Sequence, residues 1–147
     1  MKNSLIKFSA IVLISAFTIS SCASSNSGDS TNLPKDISER PADESSKKYD
    51  EANLDKLKSI IESEIAKEKC TAASEWTFAP MGSKACGGPV SYIAYPKKLE
   101  VSVLRKIEHY TQTMSEFNKK YNITSDCMMI AEPTGLRCQG EKAVLIY

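Results

Sequence analysis

The sequence predicts an α+β fold: a small disulfide-stapled domain in which two helices pack on an antiparallel sheet. Three observations predict it. Two segments of the 147-residue chain repeat apolar residues at helical spacing. Short runs rich in β-branched and aromatic residues lie between and after these segments. Four of the five cysteines lie in the same part of the chain, and an even number is typical of a disulfide framework in an exported protein.

The amino-terminal region has the layout of a secretory signal. Two lysines precede an apolar run over residues 8–19, which is shorter than the roughly 20 residues that a membrane-spanning helix needs. The run leads into "ISSC", which resembles a bacterial lipobox. This resemblance implies that residues 1–21 are a lipoprotein signal peptide and that Cys22 carries lipid, palmitate included. Ala23 is not an acidic retention residue, so we expect the outer membrane of the cell envelope where the cell has one.

Residues 22–48 are predicted to form a disordered, lipidated tether. Their sequence after the cysteine, "ASSNSGDSTNLPKDISERPADESSKK", has no aromatic residue and few aliphatic ones. Such a composition buries too little apolar surface to offset the entropy lost on ordering. The remaining residues, 49–147, are then a single α+β domain of a size that supports one small core.

Two amphipathic helices are predicted, one in "DEANLDKLKSIIESEIAKEKC" and one in "VSVLRKIEHYTQTMSEFNKKYN". In each segment the apolar residues recur every three or four positions, which places them on one helical face. The stripes are Leu54, Leu57, Ile61 and Ile65 in the first helix, and Val103, Ile107, Tyr110, Met114, Phe117 and Tyr121 in the second.

The strands are predicted from shorter patterns. "EWTFAP" places Trp76 and Phe78 on one face of a strand, and "YIAY" is a second strand closed by Pro96. The final segment, "DCMMIAEPTGLRCQGEKAVLIY", is interpreted as two or three short strands with a turn at "EPTG". The predicted element order is therefore α-β-β-α-β-β-β, with both helices on one face of the sheet.

The four remaining cysteines are expected to form two disulfides. Four cysteines allow three pairings, and we favour the nearest neighbours in sequence, Cys70 with Cys86 and Cys127 with Cys138. Structural zinc sites use close pairs of cysteines, whereas these pairs enclose 15 and 10 residues. We therefore expect no metal site and no cofactor.

Cys86 is also considered as a catalytic nucleophile. The glycines beside it would leave access for a substrate, and their backbone N–H groups would hold an oxyanion. The base would have to be His109, the single histidine, which flanks the apolar stripe of the second helix. A free Cys86 would leave three cysteines, so a thiol enzyme is less favoured, and no catalytic residue is assigned.

The stretch "SKACGGPVSYIAYP" is the strongest candidate for a binding loop. An ordered loop over residues 81–91 would present Lys84, Gly87, Gly88 and Tyr92 to a partner. Pinning a loop lowers the entropy that binding costs. The alternative is that the glycines only allow a tight turn before the second strand.

The pattern "ACGGP…YIAY…SDC…C" resembles one in small exported bacterial lipoproteins and periplasmic proteins of uncharacterised activity. The resemblance covers residues 70–147 and supports export, but implies no catalytic residue. We expect a non-catalytic binding module with an exported protein partner, for example as an inhibitor of an exported hydrolase; a structural or accessory envelope lipoprotein is the alternative. Without Lys2 and Lys7 the chain has 17 basic and 18 acidic side chains, which gives no reason to expect nucleic-acid binding.

Overall fold

The structure, a computed structural model, describes residues 35–147 and confirms the α+β class. The element order is α1, β1, β2, α2, β3, β4, and each consecutive pair of strands forms a separate antiparallel hairpin. The signal peptide, the lipidation site and the tether up to residue 34 lie outside the described residues. The bounds are α1 Glu44–Ile65, β1 Trp76–Met81, β2 Ser91–Pro96, α2 Glu100–Lys120, β3 Gly135–Gln139 and β4 Lys142–Ile146.

The folded domain begins before the predicted boundary at residue 49. Residues 35–48 were expected to belong to the tether, but Ile37 and Arg40 are buried and helix α1 already starts at Glu44. The side chain of Asp43 caps this helix by accepting a hydrogen bond from the Ser46 backbone N–H at 2.7 Å. The polar composition did not indicate this start, because the buried contacts of the segment come from a single apolar residue, Ile37, and from the ion pair between Arg40 and Asp50.

The two predicted helical stripes form the core, as expected. Leu54 and Ile61 of α1 are buried against Val103, Ile107 and Phe117 of α2, and the other stripe residues pack around them. Burying side chains of this size stabilises a fold by roughly 1.5–3 kcal/mol each. The helical periodicity therefore predicted both the elements and the faces by which they pack.

The first hairpin matches its prediction and lies between the helices and the second hairpin. Strands β1 and β2 pair so that Phe78 is opposite Ala94. Ala79 and Met81 point into the helical core, whereas Phe78 lies on the opposite face, edge-to-face with Tyr92 at 6.2 Å between ring centroids. β1 and β2 also contact β3 and β4, respectively.

The second hairpin differs from its prediction. Its turn is at Gly140 and Glu141, which both have positive φ, and not at "EPTG". Cys138 is consequently opposite Ala143, so it cannot face Cys127 across this hairpin. The "EPTG" residues lead into β3 instead, where the Thr134 N–H donates to the Ile146 carbonyl at 2.7 Å.

The disulfide joins Cys70 to Cys138, so both predicted pairings are wrong. The two Cα atoms are 5.3 Å apart although 68 positions separate the residues. The chain after α1 is docked on the turn of the second hairpin, because the Cys70 N–H donates to the Glu141 carbonyl at 2.8 Å and Lys69 forms an ion pair with Glu141. Cys86 and Cys127 are exposed free thiols.

A buried ionic cluster ties the amino-terminal segment to both helices. The Asp50 carboxylate lies 2.6 Å from the Arg40 guanidinium and 3.1 Å from the Lys120 ammonium, and it accepts a hydrogen bond from the Tyr121 hydroxyl at 2.7 Å. Lys120 also donates to the Ile37 carbonyl. Burial, followed by the bond to Asp50, raises the pKa of Tyr121. Asp50 is the centre of this cluster, which the sequence did not predict.

Candidate functional site

The loop over residues 82–90 is ordered by its own backbone. The Lys84 N–H donates to the Gly88 carbonyl at 2.9 Å, and the Gly87 N–H donates to the Lys84 carbonyl at 3.0 Å. Gly87 and Gly88 have φ angles of 94° and 82°, which side chains rarely adopt. The glycines are therefore required by the loop conformation, as the turn interpretation expected.

The base of this loop is fixed to helix α2. The Gly82 N–H donates to the Thr111 hydroxyl at 3.0 Å, and the Asn118 side-chain amide donates to the Ser83 carbonyl at 2.7 Å. These bonds give the loop a defined position on the helix whose other face fills the core. The loop therefore has a fixed conformation on the surface of the domain, which limits the conformational entropy that is lost when it contacts a partner.

Lys84 has a structural role within the loop. Its ammonium lies 2.7 Å from the Asp126 carboxylate and 2.7 Å from the Met128 carbonyl oxygen, and its side chain is mostly buried. The neighbouring Ala85 N–H donates to the Ser125 hydroxyl at 3.1 Å. The Lys84 charge, mainly through the hydrogen bond, lowers the pKa of Asp126. Lys84 therefore holds the 123–130 segment against the loop, and its ammonium is not free for a partner.

An apolar groove of about 690 Å³ lies between the 82–90 loop, helix α2 and the 123–130 segment. Met128 and Met129 are largely exposed at its edge, with 96% of Met129 accessible. Methionine is flexible and polarisable, so such side chains adapt to irregular apolar surfaces. The apolar residues that line the groove include Leu54, Val90, Met114, Phe117, Ile123, Met128, Met129 and Ile130.

Tyr92 lies apart from this groove. It is half-buried on β2 and contacts Phe78, on the face of the hairpin that is turned away from the helical core. Of the predicted binding residues, only Lys84 lines the groove; Gly87 and Gly88 shape the loop through their positive φ angles, and neither they nor Tyr92 are among the groove residues.

The methionines at the groove edge were missed by the sequence analysis. "DCMMIAEP" was interpreted as strand, yet the structure gives Met128 and Met129 no regular secondary structure. Two adjacent apolar residues cannot both face a core from a half-buried strand, because successive side chains point to opposite faces. The pair "MM" next to "SDC" was therefore the signal that this segment exposes apolar surface.

Cys86 and His109 do not form a nucleophile and base pair. The Cys86 sulfur contacts Ser125 and Asp126 in the groove wall. His109 is exposed on α2 and lines a different cavity with Gln112 and Thr113. The geometry that a thiol enzyme of this kind would need is therefore absent between these two residues.

No group of three or more His, Cys, Asp or Glu side chains within residues 35–147 is placed to hold a metal ion. In the same part of the chain, no helix has the length and apolar character to cross a membrane. Comparison of the chain with protein-family models, with curated proteins and with solved structures gives no match. The functional inference therefore depends on the groove and on the amino-terminal sequence.

Proposed function

We propose that the chain is a non-catalytic binding module of the cell envelope, anchored through lipid at Cys22, whose groove binds an apolar segment of an exported protein. The observation that carries this proposal is the exposed methionine edge of the groove, Met128 and Met129, on a wall fixed by Lys84 and Asp126. An apolar groove that receives the apolar face of a peptide segment is a recurrent mode of recognition. Hydrolase inhibition is one consequence that such binding would have.

A protein segment suits this groove because the wall beside it is both apolar and irregular. Met128 and Met129 follow one another in a segment without regular structure, so their side chains can adjust to several partner residues at once. The lipid anchor implied by "ISSC" would present the groove to exported proteins.

The groove is tested by placing a photo-crosslinking amino acid at position 129 in the parent cell. We expect a discrete adduct with an exported protein, and the crosslinked peptide to be apolar. The adduct of a crosslinker at position 130 should be lost in Met129→Glu, because a charge at the groove edge has to be desolvated on binding.

Val101→Glu is the matched control, because Val101 is 74% exposed on α2 and does not line the groove. Both substitutions are expected to change the free energy of unfolding by no more than about 0.5 kcal/mol, since they are on the surface. Equal adduct formation in Met129→Glu and Val101→Glu, or adducts with lipid alone, would contradict the proposed function.

The anchor is tested independently by Cys22→Ser. We expect the substituted protein to remain unprocessed or to leave the membrane fraction, because the lipid would have no sulfur to which it can attach. Membrane fractionation and the mass of the amino-terminal peptide measure this. A processed Cys22→Ser protein that stays with the membrane would show that the anchor lies elsewhere.

A further inference from the structure

Cys86 and Cys127 are brought together by the groove wall from positions far apart in sequence. The Cys86 sulfur lies 3.6 Å from the Ser125 hydroxyl oxygen and 3.5 Å from the Asp126 carbonyl oxygen, directly beside Cys127 in the chain. The Cys127 sulfur in turn contacts the Ser125 carbonyl oxygen at 4.0 Å. Both thiols are exposed, so a reagent in solvent reaches either one.

The two thiols differ in acidity. The Cys127 thiol and the Ser125 hydroxyl beside Cys86 lower its pKa, with a further contribution from the Lys84 charge. The neighbouring Cys86 thiol is the main cause that raises the pKa of Cys127, and burial and the Asp126 carboxylate add to it. Since the thiolate is the nucleophile, we expect Cys86 to be the thiol that reacts first.

We propose that Cys86 and Cys127 form a reversible disulfide that locks the 82–90 loop to the 123–130 segment. The proposal stands on the contacts of the Cys86 sulfur with Ser125 and Asp126, on the contact of the Cys127 sulfur with Ser125, and on the exposure of both thiols. It is independent of what occupies the groove.

The reaction is thiol–disulfide exchange with an oxidant that itself contains a disulfide, either a protein or a small molecule. The Cys86 thiolate attacks one sulfur of that disulfide, a mixed disulfide forms, and the other sulfur leaves as a thiolate. Cys127 then loses its proton to solvent and attacks the Cys86 sulfur. The second thiolate of the oxidant leaves, so the oxidant gains two electrons and the protein loses two electrons and two protons.

The disulfide would replace weaker contacts across the same wall. In the thiol form the loop is joined to the 123–130 segment through Lys84 with Asp126 and through Ala85 with Ser125. A covalent bond at position 86 would fix the position of the segment that carries Met128 and Met129. Exposed disulfides are commonly the labile ones, whereas Cys70 of the other disulfide is buried.

The test uses the full chain purified from membranes in detergent, reduced mildly and then incubated with oxidised glutathione. Trypsin separates all four cysteines of the domain, because each is bounded by cleavage sites. Without reduction, we expect the peptide that contains Cys86 to be linked to the one that contains Cys127, with a loss of two hydrogens in mass. The relevant cleavages follow Lys69, Lys84, Lys97, Lys120, Arg137 and Lys142.

Single substitutions establish the order of events. Cys127→Ser is expected to accumulate a glutathione adduct at Cys86, because no second thiol resolves it. Cys86→Ser is expected to form its adduct at Cys127, the remaining exposed thiol, and neither variant should form an internal disulfide between these positions. In a glutathione titration, the Cys86–Cys127 bond should be reduced under conditions that leave Cys70–Cys138 intact.

Three results would overturn the proposal. The first is glutathione attached separately to Cys86 and Cys127 without a link between them. The second is two thiols that stay free under the oxidant although an alkylating reagent modifies both. The third is a linked pair that resists reduction as strongly as Cys70–Cys138 does, which would make the bond a permanent staple and not a reversible one.

Discussion

Two of the ion pairs in this domain lie in different regions and differ in how completely they are removed from water. In the region around α1, Arg40 and Asp50 have side chains that are 2% and 0% exposed. In the groove wall, Lys84 and Asp126 are 14% and 71% exposed. A buried pair is strongly destabilising to break, whereas an exposed pair contributes little. The Arg40–Asp50 pair therefore stabilises the fold, whereas the Lys84–Asp126 pair contributes little to stability and keeps the groove wall in position.

The cysteines follow the same division. Cys70 and Cys138 join the chain after α1 to β3 in a disulfide, and Cys70 is buried. Cys86 and Cys127 are thiols on the exposed groove wall. One pair of cysteines is therefore joined covalently with Cys70 buried, whereas the other pair is exposed to reagents in solvent.

The largest effect is expected from Asp50→Asn. The substitution keeps the size of the side chain but removes the carboxylate charge that faces Arg40 and Lys120. We expect the free energy of unfolding to fall by about 3–5 kcal/mol, the usual consequence of breaking a buried pair. Urea denaturation followed by circular dichroism measures it.

Asp126→Asn is the matched control for the groove wall. Most of the Asp126 side chain is in water, so its loss is expected to leave the urea midpoint close to that of the unsubstituted protein. Similar losses of stability in Asp50→Asn and Asp126→Asn would show that the buried and the exposed ion pair contribute equally to the free energy of unfolding.

Local patterns predicted the elements of this fold well, because helices and hairpins depend on residues close in sequence. The stripe from Leu54 to Ile65 and the strand beginning at Trp76 are examples. The disulfide pairing was predicted wrongly because cysteines that are neighbours in sequence were preferred, which favours short loops. The entropy of closing a loop grows only with the logarithm of its length, so 68 positions were a weak reason against joining Cys70 to Cys138.

The candidate site was predictable only in part. Gly87 and Gly88 indicated a specified loop, and their positive φ angles agree with that interpretation. The role of Lys84 depends on Asp126, 42 positions later, and a sequence without an alignment carries no signal for such a pair. Asp50 was concealed for the same reason, since its partners come from both sides of it in the chain.

An intermediate loss in the free energy of unfolding is expected from alanine at two glycines of the 82–90 loop. Gly88→Ala should lower the free energy of unfolding by about 1–2 kcal/mol, because its φ of 82° is unfavourable for a side chain while the space around it is open. Gly82→Ala should lower it further. Its φ is 79°, and a Cβ there would lie 3.1 Å from the Val90 Cβ and 3.2 Å from the Met114 sulfur.

Thermal unfolding of the two glycine variants tests whether the base of the loop, at Gly82, is closely packed while the tip, at Gly88, has open space around it. Equal losses would indicate that the Gly82 neighbours relax without cost. A larger loss for Gly88→Ala would contradict the arrangement, because it would require the tip to be packed as tightly as the base.

The prediction with the smallest effect on stability concerns the pH at which each of the two thiols is alkylated. It is also the most direct test of their interaction. Because the pKa of Cys86 is lowered and that of Cys127 is raised, iodoacetamide should modify Cys86 at lower pH than Cys127. Lys84→Met should move the Cys86 profile to higher pH, since it removes a positive charge that favours the thiolate. Asp126→Asn should move the Cys127 profile to lower pH, since it removes a negative charge that disfavours the Cys127 thiolate.

Peptide mass spectrometry after short labelling measures both alkylation rates. Coincident profiles for Cys86 and Cys127 would show that the two thiols do not interact across the groove wall.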